Sequence, residues 1–186
     1  MKHGRLSSQR GLSLIESVVA LGVVATTLQM ALPVFDEMIR NANLAAASQD
    51  LLVDLHLARS EALKRNRRVA LCKSADGLRC NTAGGWEQGW IVFHDENNNG
   101  VLDDGEERIA RHEPLKPVLR LRGNSQVANY ISYTPLGASK LKSGGFQAGT
   151  LTLCRVSGVP TASREVVLNS VGRPRVQAGT VASCDV

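Results

Sequence analysis

Arg173 and Arg175, in the run Gly172-Arg-Pro-Arg, are spaced so that an extended chain points both guanidinium groups to one side, because strand side chains alternate with period two. A guanidinium is a planar, permanently charged fork of donors that matches phosphate oxygens. Pro174 cannot donate to a sheet ladder, so the segment is expected at a sheet edge or in a loop, where both arginines stay reachable. Arg155 and Arg164 are further candidates in the same third of the chain. A basic edge that discourages aggregation would use the same residues without any ligand.

The charge distribution adds weight to that run. Residues 12–107 hold 8 basic and 14 acidic side chains, net −6, whereas residues 108–186 hold 11 basic and 3 acidic, net +8. The formal net charge of +5 therefore hides a basic C-terminal third, whose field attracts polyanions.

Residues 95–106, DENNNGVLDDGE, follow the spacing of a calcium loop, with Asp95, Asn97, Asn99, the Val101 carbonyl, Asp103 and Glu106 as oxygen donors. Against calcium, the preceding GWIVF reads as a strand, Asp95 alone of the first three donors is charged, and Asn-Asn-Asn-Gly is a strong turn sequence. Both a calcium site and a polar turn stay open. Cys72, Cys80, Cys154 and Cys184 all follow the apolar N-terminal segment, and without a CxxC pair or suitably spaced histidines they read as disulfides rather than zinc ligands. Of the three pairings, Cys72 with Cys80 and Cys154 with Cys184 joins sequence neighbours and is the expected one. Enzymatic chemistry finds no support, since His94 beside Asp95 is sequence adjacency rather than a triad.

Upstream of all these, residues 12–35 form an apolar run long enough to span a bilayer as a helix, preceded by Lys2, Arg5 and Arg10. Glu16 lies inside it, where a charge at the bilayer centre costs about 2.5–3.5 kcal/mol, and so needs a partner or access to water. From Phe35 to about Arg65 the helix continues, with Leu44, Ser48, Leu51, Leu55, Ala58 and Ala62 on one face that should cover a sheet. Eight strand candidates follow: VALC, GWIVF, RIARHE, LRLR, ISYTP, GTLTLC, EVVLN and RPRVQ. Trp86 and Trp90 are expected to pack this head. The fold class is α+β, a long N-terminal helix, transmembrane in its first half, packed on a mostly antiparallel sheet head.

The segment RGLSLIESVVALGVVATTLQMALP resembles the prepilin signature. The resemblance implies a leader of residues 1–11, a prepilin peptidase cut between Gly11 and Leu12, and methylation of the new Leu12 amine. It implies that Glu16 pairs with a neighbouring subunit's N-terminus during assembly, and that residues 12–35 sit in the inner membrane with a head of residues 36–186 outside the cytoplasm. Leu12 stands where most pilins carry Phe. With LARSEALKRNRRVALC, GWEQGWIVFHDENNNGVLDDGE, TLTLC and EVVLNSVGRPR, nearly the whole chain resembles the GspH/FimT family of minor pilins and pseudopilins. The partners so implied are other major and minor pilins. GRPR, Gly172 to Arg175, resembles the Gly-Arg-x-Arg motif of FimT-type subunits, which implies double-stranded DNA as a partner in natural transformation; the alternative is a structural pseudopilin of type II secretion.

Overall fold

A computed structural model describes residues 13–184, and for residues 28 and 30–34 it describes the backbone alone. The chain divides into two compact units, one up to Arg40 and one from Asn41 onward. The first element is the helix α1 (Leu14–Arg65). In the first unit Leu14, Ile15, Val18, Val19, Leu21, Val23, Val24, Phe35, Met38 and Ile39 are all exposed. Among the described residues no helix is long and apolar enough to cross a membrane. The run expected to do so, residues 12–35, is only partly covered by that description.

In the second unit α1 behaves as its periodicity predicts: Leu44, Ser48, Leu51, Leu55, Ala58 and Ala62 are buried as one stripe. The helix stops where Asn66 takes a left-handed conformation, φ 52°. The Arg67 N–H then donates to the Ala62 carbonyl at 3.2 Å and the Asn66 N–H to the Leu63 carbonyl at 3.3 Å, which satisfies two otherwise orphaned carbonyls.

The eight strand candidates all form strands: β1 (Val69–Lys73), β2 (Trp90–His94), β3 (Arg108–His112), β4 (Leu119–Gly123), β5 (Tyr130–Tyr133), β6 (Gly149–Arg155), β7 (Thr161–Leu168) and β8 (Pro174–Val181). They make two antiparallel four-stranded sheets, ordered β3-β2-β1-β5 and β4-β6-β7-β8. One core joins the α1 stripe to Val69, Leu71, Val92 and Ile131 of the first sheet and to Leu121, Leu151, Leu153, Val166 and Leu168 of the second.

Both tryptophans belong to this core. Trp86 donates its indole N–H to the Val127 carbonyl at 2.9 Å, and Trp90 donates to Asp54 Oδ2 of α1 at 2.8 Å. His112 stacks on Trp90 with ring centroids 3.9 Å apart. The indole hydrogen bond lowers the Asp54 pKa less than burial raises it, so the net shift is upward.

A second, smaller core lies on the other face of the first sheet, where Ala70, Cys72, Ile91 and Phe93 meet Cys80, Leu102 and Tyr130. Disulfides join Cys72 to Cys80 and Cys154 to Cys184, with Cα atoms 5.5 Å and 5.9 Å apart, and no described cysteine is free. In a head with so few aromatic residues, such staples supply constraint that core burial alone provides less generously.

Candidate nucleic-acid interface

The hairpin between β7 and β8 is closed by the pair Leu168 and Pro174. Asn169 organises its turn: its carbonyl accepts the Gly172 N–H at 3.0 Å, and its Oδ1 accepts the Arg173 N–H at 2.8 Å. Asparagine is suited to this work because its side chain mimics a backbone acceptor. Gly172 has φ 77°, a left-handed conformation that suits glycine. Pro174 opens β8, the outer strand of its sheet, where a missing N–H costs little. Pro174 is buried while Arg173 and Arg175 are exposed, so alternation presents the two arginines together on the face opposite the proline.

Arg155 and Arg164 do not join them. Arg164 pairs with Leu153 and Ala178, and Arg155 with Leu119, so both share the side of the sheet that carries the core residues Leu119, Leu121, Leu153 and Val166. Arg175 pairs with Val167 on the opposite side. The register thus separates the further candidates Arg155 and Arg164 from Arg175, on the other face of the sheet.

The residues that the sequence reading passed over lie beside the hairpin. Ser139 Oγ lies 2.6 Å from the Gln147 carbonyl and 3.1 Å from the Asn169 carbonyl, which ties the segment 139–147 to the β7–β8 turn. That segment carries Lys140 and Lys142. The sequence signal was the 114–164 stretch, which contains no Asp or Glu at all. Arg122, on the outward side of β4, is instead held by Glu87 at 2.5 Å.

The loop 95–106 is closed by its own side chains. Asp95 is buried and accepts the Asn99 and Gly100 N–H groups, each at 3.0 Å. Asp103 Oδ2 accepts the amides of Asn97 and Asn99 at 2.7 and 2.6 Å, and Glu106 accepts the N–H groups of Glu96 and Asp103. Val101 donates its N–H to Asn99 Oδ1 at 2.7 Å. Burial raises the Asp95 carboxyl above its ordinary range, against the pull of those N–H groups. The loop covers the smaller core, with Leu102 packed into it and the Gly100 backbone against the Tyr130 ring. Among the described residues, no group of three or more His, Cys, Asp or Glu side chains is disposed to hold a metal ion.

Glu16 is exposed in the first turn of α1, where its N–H donates to Ser13 Oγ at 3.3 Å. Gly11 and Leu12 lie outside the described residues.

Residues 47–172 match the family described as Type II transport protein GspH. The chain is 31% identical over 174 residues to the pilin-like protein PilA1 of Thermus thermophilus, covering 91% of this chain and 99% of that protein. Its fold resembles the crystal structure of the type IV minor pilin FimU of Pseudomonas aeruginosa, with a TM-score of 0.52 and 20% identity over 77% of this chain and 96% of that one. It also resembles the minor pseudopilin EpsH from the type 2 secretion system of Vibrio cholerae, with a TM-score of 0.50 and 15% identity over 73% and 97% of the two chains.

Proposed function

This chain belongs to the GspH family of pilin-like proteins, and from that premise we propose that it is a minor pilin whose head binds double-stranded DNA through Arg173 and Arg175, in the service of natural transformation. The chain is, in this reading, a structural filament subunit rather than an enzyme. In this reading a prepilin peptidase removes residues 1–11, the helix from Leu12 holds the subunit in the inner membrane, and Glu16 engages neighbouring pilins as the subunit enters a filament.

The observation that carries DNA binding is the pair of exposed arginines on one side of an outer strand, locked in place by the buried Pro174 between them. Contacts of guanidinium forks with phosphates position a duplex without reading its sequence, so low sequence preference and strong salt dependence belong together. A mobility-shift titration of the mature chain across ionic strength tests it. Each neutralised phosphate contributes about −0.9 to the slope of log affinity against log salt, so changing Arg173 and Arg175 to Gln flattens the slope by up to about two units. An unchanged slope, or no salt-sensitive binding by the parent protein, returns the chain to the structural pseudopilin reading, which the match to a type II transport family supports.

A further inference from the structure

Phe146 is 65% exposed, in a head whose two tryptophans, Phe93 and Tyr133 are all fully buried. It sits on a short hairpin opposite Lys140, its bridge partner. The intervening turn is closed by the Leu141 N–H on the Gly145 carbonyl and the Gly144 N–H on the Leu141 carbonyl, both at 2.9 Å. The Lys140 ammonium lies 5.7 Å from the Phe146 ring centroid. The backbone of Lys142 is fixed, its N–H donating to Tyr130 Oη at 2.9 Å, while its side chain stays exposed. This hairpin abuts the arginine turn at two points: Ser139 reaches the Asn169 carbonyl, and Gly172 lies against Gly137 and Ser139. No acidic residue occurs between Glu113 and Glu165.

An exposed ring with an ammonium group near its face, on a hairpin tied to the turn that carries two phosphate-matching guanidiniums, is a combination that can hold a nucleic-acid strand with an unstacked base. We infer that the Lys140–Phe146 hairpin is a second arm of the same site: Phe146 stacks on an unpaired nucleobase, and Lys140 and Lys142 hold the phosphates beside it. The inference rests on the reading of Arg173 and Arg175 as DNA ligands and adds a preference that they alone do not supply. The protein should favour duplex DNA that carries a single-stranded end over the same duplex with blunt ends.

Fluorescence anisotropy with the mature full-length chain compares a labelled blunt duplex with the same duplex bearing a short 3′ overhang. The parent protein binds the overhang form roughly tenfold more tightly, the scale of one stacked base. Phe146→Ala abolishes that preference and leaves blunt-duplex affinity and its salt slope unchanged, while Phe146→Trp keeps it. Lys140→Gln with Lys142→Gln weakens overhang binding and reduces its salt slope. A parent protein without the preference, or an F146A variant that retains it, overturns the inference while leaving the arginine site standing. An F146A variant that binds both DNAs as the parent does but enters filaments poorly assigns the ring to subunit contact and overturns it too. Absence of salt-sensitive binding to either DNA sinks both this inference and the reading beneath it.

Discussion

Gly172 lies directly against Gly137: a Cβ added to Gly172 would run into the Gly137 carbonyl oxygen and come within 3.0 Å of the Ser139 nitrogen. The same carbonyl accepts the Arg59 Nε–H of α1 at 2.9 Å, so helix, loop and arginine hairpin are fastened at one point. Gly172→Ala meets both a left-handed φ of 77° and backbone on the far side. It should cost about 1–3 kcal/mol of stability, read as a lowered denaturation midpoint. Because Arg173 is the next residue, DNA affinity should fall even where the variant is fully folded.

Replacement of Arg155 and Arg164 by Gln is the counterpart of the Arg173 and Arg175 variant. The two pairs occupy opposite faces of the β4-β6-β7-β8 sheet. The salt slope of DNA binding should therefore stay within experimental error of the parent, although the same number of charges has been removed. A loss equal to that of the Arg173 and Arg175 variant would mean that net charge, not the hairpin, binds DNA.

How far the sequence foretold this site depends on which physical signal each part leaves. The stripe from Leu44 to Ala62 is local, and its period identified the buried face of α1 correctly. The eight strands were legible for the same reason, as short β-branched and aromatic runs between turn residues. Sheet order is not local: that β5 pairs with β1, and that β8 ends the second sheet, depends on which faces the shared core can cover. Arg164 and Arg175 look equivalent in sequence, yet the length of the Asn169–Gly172 turn sets the register that separates their faces. The approach of the segment 139–147 to the β7–β8 turn was invisible because the tie through Ser139 and Asn169 spans 30 residues.

Arg65 at the end of α1 binds two carboxylates, Glu61 at 2.6 Å and Glu107 of the loop before β3. Its hydrogen bond is the leading cause of the lowered pKa of each. A carboxylate with a depressed folded pKa adds stability above its unfolded value, about 4.3 for Glu, and that stability is lost as pH falls through the folded pKa. Arg65→Gln should thus lower the melting temperature at neutral pH. The difference from the parent should close as the pH is taken below the ordinary carboxylate range. A gap that persists in strong acid would assign the loss to packing of the arginine stem.

Glu16→Ala addresses assembly rather than the head. Removing a carboxylate from an apolar segment spares the roughly 2.5–3.5 kcal/mol that a charge at the bilayer centre costs, so membrane insertion should be intact or improved. Incorporation into filaments should fall, as measured by the ratio of sheared pilus fraction to membrane fraction. Normal incorporation would show that Glu16 has no assembly role.

The loop 95–106 offers the last test, because its donors could serve either a cation or the loop itself. Asp95 is buried with two backbone N–H groups on its carboxylate, and Asp103 holds the amides of Asn97 and Asn99. A calcium ion would need those carboxylates and the amide oxygens turned inward, at the expense of these bonds. The loop also has a structural task, since Leu102 closes the smaller core and its N–H meets the Cys80 sulfur at 3.2 Å. Asp95→Ala strands the Asn99 and Gly100 N–H groups, and should destabilise the head by about 1–3 kcal/mol whether or not calcium is present. A ligand that binds only the folded head must raise its melting temperature as RT ln(1 + [L]/Kd). Millimolar calcium should therefore leave the melting temperature of the parent protein unchanged. A rise in the parent that disappears in the Asp95→Ala variant would identify the loop as a calcium site instead of a self-sufficient turn.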